Sequence, residues 1–330
     1  MRRRDFVAGL GSTAVLLPLE SHAQLSPRQR RLGVLIGALP GDPGGQTEVT
    51  TFVKALAELG WIEGRNISIA YRWSGANIAL VEVSANELMA LNPDILLARS
   101  TPPTIALQRA TSTIPIVFVN VAEPVSSGIV PNLARPGGNV TGFTNFEASI
   151  GGKWVQLLKE VAPQLVRIGI IYNSQTAPFA GLFLRSIEMA APRVGVEIIA
   201  MPVQSETDIA AALTSLAQRP SSGMVQILDT FTLEHRNMII ELAARLSLPA
   251  LYSNRLATAS GGLIAYAVDA LDQFHRAATY VDRILNGAKP ADLPVQQPTR
   301  FALSINLKTA RALGLEIPSQ LLATADEVIE

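Results

Sequence analysis

The sequence predicts an α/β fold of two doubly wound parallel-sheet lobes joined by a three-strand hinge. Three observations carry that expectation. Short apolar runs rich in β-branched residues alternate with helical patterns along the chain, the signature of strands covered on both faces. A stretch recurs: shifting the chain by 134 positions lays 114–130 on 248–264, so Pro115, Asn120, Ser126 and Gly128 meet Pro249, Asn254, Ser260 and Gly262. RLGVLIG at 31–37 likewise lies near that offset from VRIGIIYN at 166–173. Finally, 330 residues are long for one core and suit two domains of roughly 120 to 150 residues each.

The amino terminus reads as an export signal over residues 1–23. Met1 to Phe6 is cationic, Val7 to Leu17 is apolar and closed by Pro18, and Ser21 and Ala23 supply the small residues of a cleavage site. That apolar run is too short to span a bilayer. Arg3-Arg4-Asp5-Phe6 also fits a twin-arginine signal, so export by either route stays open. With no cysteine there is neither a lipid attachment site nor a disulfide, and a soluble periplasmic protein is expected.

Down the first lobe, Leu32 to Gly37 reads as a strand and 38–45 as a mobile loop. Thr47 to Leu59 is a helix stopped by Gly60. Asn66 to Arg72 alternates as a strand, Ile78 to Leu91 is a helix, and Asp94 to Ala98 is a buried strand. Arg99-Ser100-Thr101-Pro102 then opens a helix with Thr101 as its cap, a start suited to capturing an anion. Ile114 to Phe146 holds the next strand, whose polar tip Asn120 faces the crevice where open α/β sheets hold ligands. It also holds the first crossing to the second lobe.

The second lobe repeats the alternation. Helices are expected at Gly152 to Val161, Phe179 to Ala191, Thr207 to Ala217 and Leu233 to Leu246, with strands at Val166 to Tyr172, Val196 to Met201 and Met224 to Leu228. Asp229 and Thr230 then occupy the place of Ser100 and Thr101 and face them, where Asp229 either meets an amine or caps a helix. Gly262 to Val268 is a strand, Leu271 to Leu285 an amphipathic helix, Arg300 to Ile305 a last strand and Leu307 to Leu313 a short helix. Crossings near 142–150, 254–262 and 290–300 divide the chain into lobe I (31–142 with 262–290) and lobe II (143–258 with 291–330).

Charge and chemistry exclude several classes. The 27 basic residues balance 27 acidic ones, and 24 face 25 once residues 1–23 are removed, so no nucleic-acid footprint is visible. There is no G-x-S-x-G elbow, no cysteine nucleophile, and no phosphate loop, since Glu147 and Trp154 stand where Gly and Ser or Thr belong. His235 and His275 have no third ligand at metal spacing. No cofactor or metal is called for.

The signal followed by RLGVLIG, ELGWIEGRNISIAYRW, STIPIVFVNVAEPVSSGIVPNLARPGGNVTGFTNF, GGKWVQLLKEVAP and LPVQQPTRFALSINLKTARALGL resemble ABC-transporter substrate-binding proteins of the tryptophan/tyrosine-type family. The resemblance covers nearly the whole chain. It implies the type I periplasmic-binding-protein fold, ligand capture between lobes, and delivery to an inner-membrane ABC permease with a cytoplasmic ATPase. The family's Gly-Thr-Pro turn is here Arg99-Ser100-Thr101-Pro102, which keeps hydroxyls but alters the room for ligand. Its VADPV-type phrase is Val121-Ala122-Glu123-Pro124-Val125.

A small-solute site needs an apolar or aromatic wall and a few aimed polar groups. The candidates are Ser100, Thr101 and Asn120 from the first lobe, Phe143 and Asn145 at the crossing, Tyr172, Asn173, Asp229 and Thr230 from the second lobe, and Asn254 and Tyr266 from the returning segment. Phe143 and Tyr172 either stack on a planar ligand or serve as plain core and hinge packing, the commoner role of such rings. The expected function is that of a non-catalytic, monomeric solute receptor, with an aromatic amino acid or related carboxylate favoured. A periplasmic enzyme of the same architecture and a sensory subunit for a membrane kinase are the alternatives.

Overall fold

The structure is a computed structural model that describes residues 29–330; the signal expected at 1–23 lies outside the described residues. Its first sheet has the order β2-β1-β3-β4-β5, with β1 at Arg30–Ile36, β2 at Ile67–Trp73, β3 at Ile95–Arg99, β4 at Ile116–Val121 and β5 at Val140–Thr144. All its pairings are parallel. Helices α1 (Pro43–Glu58), α2 (Ile78–Ala90) and α3 (Thr101–Ala110) connect the strands. On one face α1 buries Phe52 and Leu56; on the other α2 and α3 bury Val81, Leu88 and Leu107.

The second sheet reproduces that order. Strands β6 (Arg167–Tyr172), β7 (Glu197–Pro202), β8 (Ser222–Gln226), β9 (Ala250–Tyr252) and β10 (Ile264–Val268) run β7-β6-β8-β9-β10, all parallel. This is the arrangement of β2-β1-β3-β4-β5, so the recurrence in the sequence is a recurrence of topology. Beyond β10 the sheet continues through β11 (Phe301–Asn306), antiparallel to β10, and β12 (Glu327–Ile329). Helices α4 (Ile150–Val161) and α5 (Ala180–Val194) cover one face, with Trp154 stacked on Phe183 at 5.5 Å.

The topology corrects the expected division of the chain. Residues 262–268 do not join lobe I; β10 is the fifth strand of the second sheet, hydrogen-bonded to β9 and β11. The chain returns with α10 (Ala270–Leu285), seating Phe274, Ala277 and Val281 against the core formed by α1 and the first sheet, and Leu293 and Val295 after it stay with that lobe. The second crossing therefore lies at 268–270 rather than at 254–262. Each lobe's fifth strand thus feeds a helix to the other lobe: β5 leads to α4 and β10 to α10. The physical reason is that both fifth strands end at the hinge, where the nearest unfilled apolar face belongs to the opposite sheet.

The crossings are tied to one another. Gln296 of the third exchanges backbone bonds with the first, its N donating to Gly142 O at 2.9 Å and its O accepting Thr144 N at 2.8 Å. Gln273 Nε2 of α10 donates to Thr144 O at 2.5 Å, and Trp154 Nε1 of α4 donates to Tyr266 O at 3.1 Å. Gly142 lets β5 lie close against β4, since a Cβ there would stand 2.1 Å from Phe118 O.

Three local expectations also change. The segment expected as a mobile loop at 38–45 is helical from Pro43, because Asp42 accepts Gly45 N at 2.7 Å and proline suits the first helical position. The helix expected over Leu233 to Leu246 is two: α7 (Thr230–Glu234) and α8 (Arg236–Arg245) meet at His235. α12 (Ser319–Thr324) and β12 follow the last expected helix, where the short apolar runs gave no clear period. The remaining helices, α6 (Glu206–Ala217), α9 (Leu256–Ala259) and α11 (Leu307–Ala312), complete the second lobe.

Candidate functional site

The tips of β3, β4, β6 and β8 converge between the lobes. A small cavity there is lined by Arg99, Ser100, Thr101, Asn120 and Asn145 from the first lobe and its crossing, and by Thr176, Phe179, Leu228, Asp229, Thr230 and Leu233 from the second. It shares Arg99, Asn120, Leu228 and Leu233 with a larger cavity of about 450 Å³, which continues past Glu48, Ser253, Asn254 and Asp269. That volume lies within the range of small-ligand sites. The lobes are closed over it: Ala76 N of the first donates to Glu234 Oε2 of the second at 2.9 Å, and Asp42 pairs with Arg236.

The backbone is bent to serve the site. Ser100 at φ 78° and Asn120 at φ 62° both occupy the left-handed region, which costs a non-glycine residue energy and persists where surroundings over-determine it. At Asn120 the β4–β5 register shifts between Val119 and Val121, a bulge that re-aims the side chain. Ser100 Oγ, Asn120 Oδ1 and Thr230 Oγ1 are buried without a hydrogen-bond partner. Buried polar atoms are almost always paired, so three orphans around one hollow are groups awaiting a ligand or its water.

Charge is treated differently. Arg99 is buried and grips Glu48 through Nε to Oε2 and Nη2 to Oε1 at 3.3 Å, while Nη1 donates to Gly37 O at 3.1 Å. Burial works against its charge, yet Glu48 and Asp42 outweigh burial and raise its pKa. Asp229 is the N-cap of α7 and closes a capping box with Thr232. Its carboxylate also accepts Asn173 N at 3.0 Å and Thr176 Oγ1 at 2.8 Å. Burial nevertheless pushes its pKa up to about 6, against those hydrogen bonds.

Of the residues expected from sequence, the small cavity gathers Ser100, Thr101, Asn120, Asn145, Asp229 and Thr230. Asn254 lines the larger one, with its Oδ1 held by Leu256 N at 3.0 Å. Four lie elsewhere. Phe143 is 1% exposed and packs on Tyr280 at 4.9 Å, with the Arg276 guanidinium 5.3 Å above its ring. Tyr266 stacks on Phe301 at 5.6 Å in the hinge. Tyr172 packs against the core of the second lobe. Asn173 supports Asp229 and turns its own loop, accepting Gln175 N and Thr176 N. The reason is common to all four: a polar or aromatic residue near a strand end also serves the hinge and the loop.

The helix-start expectation also narrows. Ser100, not Thr101, is the N-cap of α3, and it makes no side-chain cap bond. Pro102 and Pro103 carry no amide hydrogen, and Thr104 N is bonded to Ser100 O, which leaves Thr101 to supply the first-turn N–H. Sequence reasoning missed Glu48, Thr176, Phe179, Leu228 and Leu233. A charged residue ending the apolar run Ile-Leu-Leu-Ala-Arg was the available signal for Arg99 and its partner. Phe179 and Leu228 carried none.

A family model described as ABC transporter substrate binding protein matches residues 37–329. The chain belongs to that family. A curated tyrosine-binding protein of Clostridioides difficile (strain R20291) is 26% identical over 295 residues, covering 88% of this chain and 83% of the relative. A solved conserved domain protein from Vibrio cholerae superposes with a TM-score of 0.85 at 28% identity, covering 91% of this chain and 100% of that one. An ABC domain from Streptococcus pneumoniae in complex with L-Trp shares the fold, with a TM-score of 0.84 at 24% identity and the same coverage. The expected type I periplasmic-binding-protein fold is the fold observed. As an ABC transporter substrate-binding protein, the chain has its two lobes and hinge where a solute receptor needs them. Among the described residues no helix is long and apolar enough to cross a membrane, and no cluster of three or more His, Asp or Glu could hold a metal ion.

Proposed function

We propose that this substrate-binding protein is a non-catalytic, monomeric periplasmic receptor that captures an aromatic amino acid or related carboxylate between its lobes. It then presents the closed form to an inner-membrane permease driven by a cytoplasmic ATPase. The observation that carries this reading is the set of unpartnered buried atoms contributed by both lobes to one hollow: Ser100 Oγ and Asn120 Oδ1 from one side, Thr230 Oγ1 from the other. A ligand that satisfies both sides is bound more tightly by the closed form than by the open one, and that difference is what drives closure. Phe179 and the Leu228 and Leu233 side chains give it an apolar wall. The tyrosine-binding relative supports the ligand class.

The test is a melting-temperature screen of the purified chain with tyrosine, tryptophan, phenylalanine and aryl carboxylates, since ligand bound only by the folded state raises apparent stability. At least one aromatic class should raise it, and the ligand should be recovered unchanged after denaturation. Turnover of that ligand by catalytic amounts of protein would instead make the chain an enzyme.

A further inference from the structure

Among the described residues, the cavity of about 450 Å³ is lined without an aromatic side chain. Phe143 and Tyr266 are taken by the hinge, and Phe179 lines the smaller cavity. The planar cations on the larger one are Arg255 and Arg99. Arg255 is half exposed and held at Nε by Glu327 Oε2 at 3.4 Å. Arg99 is different: its side chain is buried, and all three of its nitrogens donate within the first lobe, Nε and Nη2 to Glu48 and Nη1 to Gly37 O. The N–H bonds of a guanidinium lie in its plane, so these partners fix the plane from its edge and leave both faces free of hydrogen bonds. Its charge is kept, because Glu48 and Asp42 outweigh burial. Among the described residues the guanidinium seated over a ring is that of Arg276 on Phe143, and Arg99 carries none.

We infer that the face of Arg99 is the surface on which an aromatic ring lies in this cleft, with Glu48 as the residue that positions it. The inference rests on the proposed aromatic ligand and deepens it by naming what selects the ring. A cation over a ring face is worth most where water is excluded, and a buried guanidinium meets that condition. A buried ion pair adds little stability over an apolar pair of the same volume, so recognition gives this one a reason to be there. Selection follows from the geometry. A flat, electron-rich ring gains from the face, and a saturated ring of similar size does not.

The experiment is titration calorimetry of the purified chain with L-phenylalanine, ring-trifluorinated L-phenylalanine and L-cyclohexylalanine, alongside L-tyrosine and L-tryptophan. Phenylalanine should bind at least about fivefold more tightly than cyclohexylalanine, although the saturated ring is the more hydrophobic, and fluorination, which drains charge from the ring face, should weaken binding. Arg99→Lys keeps a cation for Glu48 but has no plane, and should erase the preference for the aromatic ring by weakening phenylalanine alone. Should that variant fail to fold, Arg99→Met combined with Glu48→Gln removes both charges together and carries the same expectation. A merely structural role for Arg99 would instead weaken phenylalanine and cyclohexylalanine alike. Equal binding of the two by wild type, tighter binding on fluorination, or a preference that survives the substitutions overturns the inference and leaves the receptor reading standing. Where tyrosine or tryptophan binds and phenylalanine does not, ring-fluorinated forms of the bound amino acid take its place. If no aromatic amino acid binds, the aromatic ligand class and this inference fall together.

Discussion

Asp42 and Arg236 join the two lobes at the mouth of the cleft. Asp42 caps α1 through Oδ2 and takes Arg236 Nη1 of α8 on Oδ1, while Arg236 Nη1 also donates to Leu233 O at 3.2 Å. Both side chains are largely buried in the closed form. Opening the cleft returns both charges to water, so the pair belongs to the closed state alone.

Arg236→Met should therefore weaken ligand binding without unfolding either lobe. A hydrogen-bonded ion pair of this kind contributes about 1.5–3 kcal/mol to the state that holds it, or roughly 10- to 100-fold in affinity. Calorimetry on any bound solute checks the loss, and a larger radius of gyration in solution scattering would report the shift toward open lobes.

Thr230→Val separates stability from binding. The Thr230 hydroxyl is buried and unpartnered without ligand, so replacing it with an isosteric methyl should leave the ligand-free melting temperature unchanged or slightly higher. Affinity should fall by about 1 kcal/mol or more, the worth of one hydrogen bond. A drop in ligand-free stability would mean that the hydroxyl serves the fold instead.

Gly37→Ala should wedge the lobes apart. A Cβ at Gly37 would stand 2.9 Å from Thr230 Cγ2 across the cleft and 2.3 Å from Ser100 Oγ within its own lobe. Opening the cleft relieves the contact with Thr230, whereas the Ser100 hydroxyl must rotate away from the methyl in either form. Slower or incomplete closure, read by scattering with and without ligand, should accompany at least about a tenfold loss of affinity.

Asp229 gives a pH dependence of unusual sign. Its folded pKa is pushed up to about 6 by burial, above the roughly 3.9 of an unfolded aspartate. The folded state therefore binds the proton more tightly, and its stability contribution is greatest below about pH 4. It declines as pH rises through about 6, by up to about 3 kcal/mol. Chemical denaturation of wild type and Asp229→Asn across pH 4 to 7 should show their stability difference shifting against wild type as pH increases, then levelling off. A difference independent of pH would contradict it.

Much of the fold is legible in the residues. The alternation of apolar runs and helical patterns marks the strands to within a few positions, and the Pro115/Pro249 and Asn120/Asn254 correspondence announces two lobes with one strand order. The site is legible in part. Ser100, Thr101, Asn120, Asp229 and Thr230 line a shared cavity because a strand tip in a parallel sheet faces the crevice whatever its neighbours are. Phe143, Tyr172 and Tyr266 show the opposite case, since an aromatic ring near a crossing gains more from hinge packing than from a wet cleft.

What the sequence determined by itself is local: which segments bury themselves, where they stop, and that the pattern occurs twice. Periodicity reports that a face is apolar, because that depends only on the spacing of side chains along the chain. It does not report which surface covers the face. That is why β10 stays in the second sheet while α10, two residues later, packs on the first. It is also why Glu48 meets Arg99 across fifty-one positions. Partners brought together from distant segments exist only once both lobes have folded and closed, so only the tertiary structure could assign them.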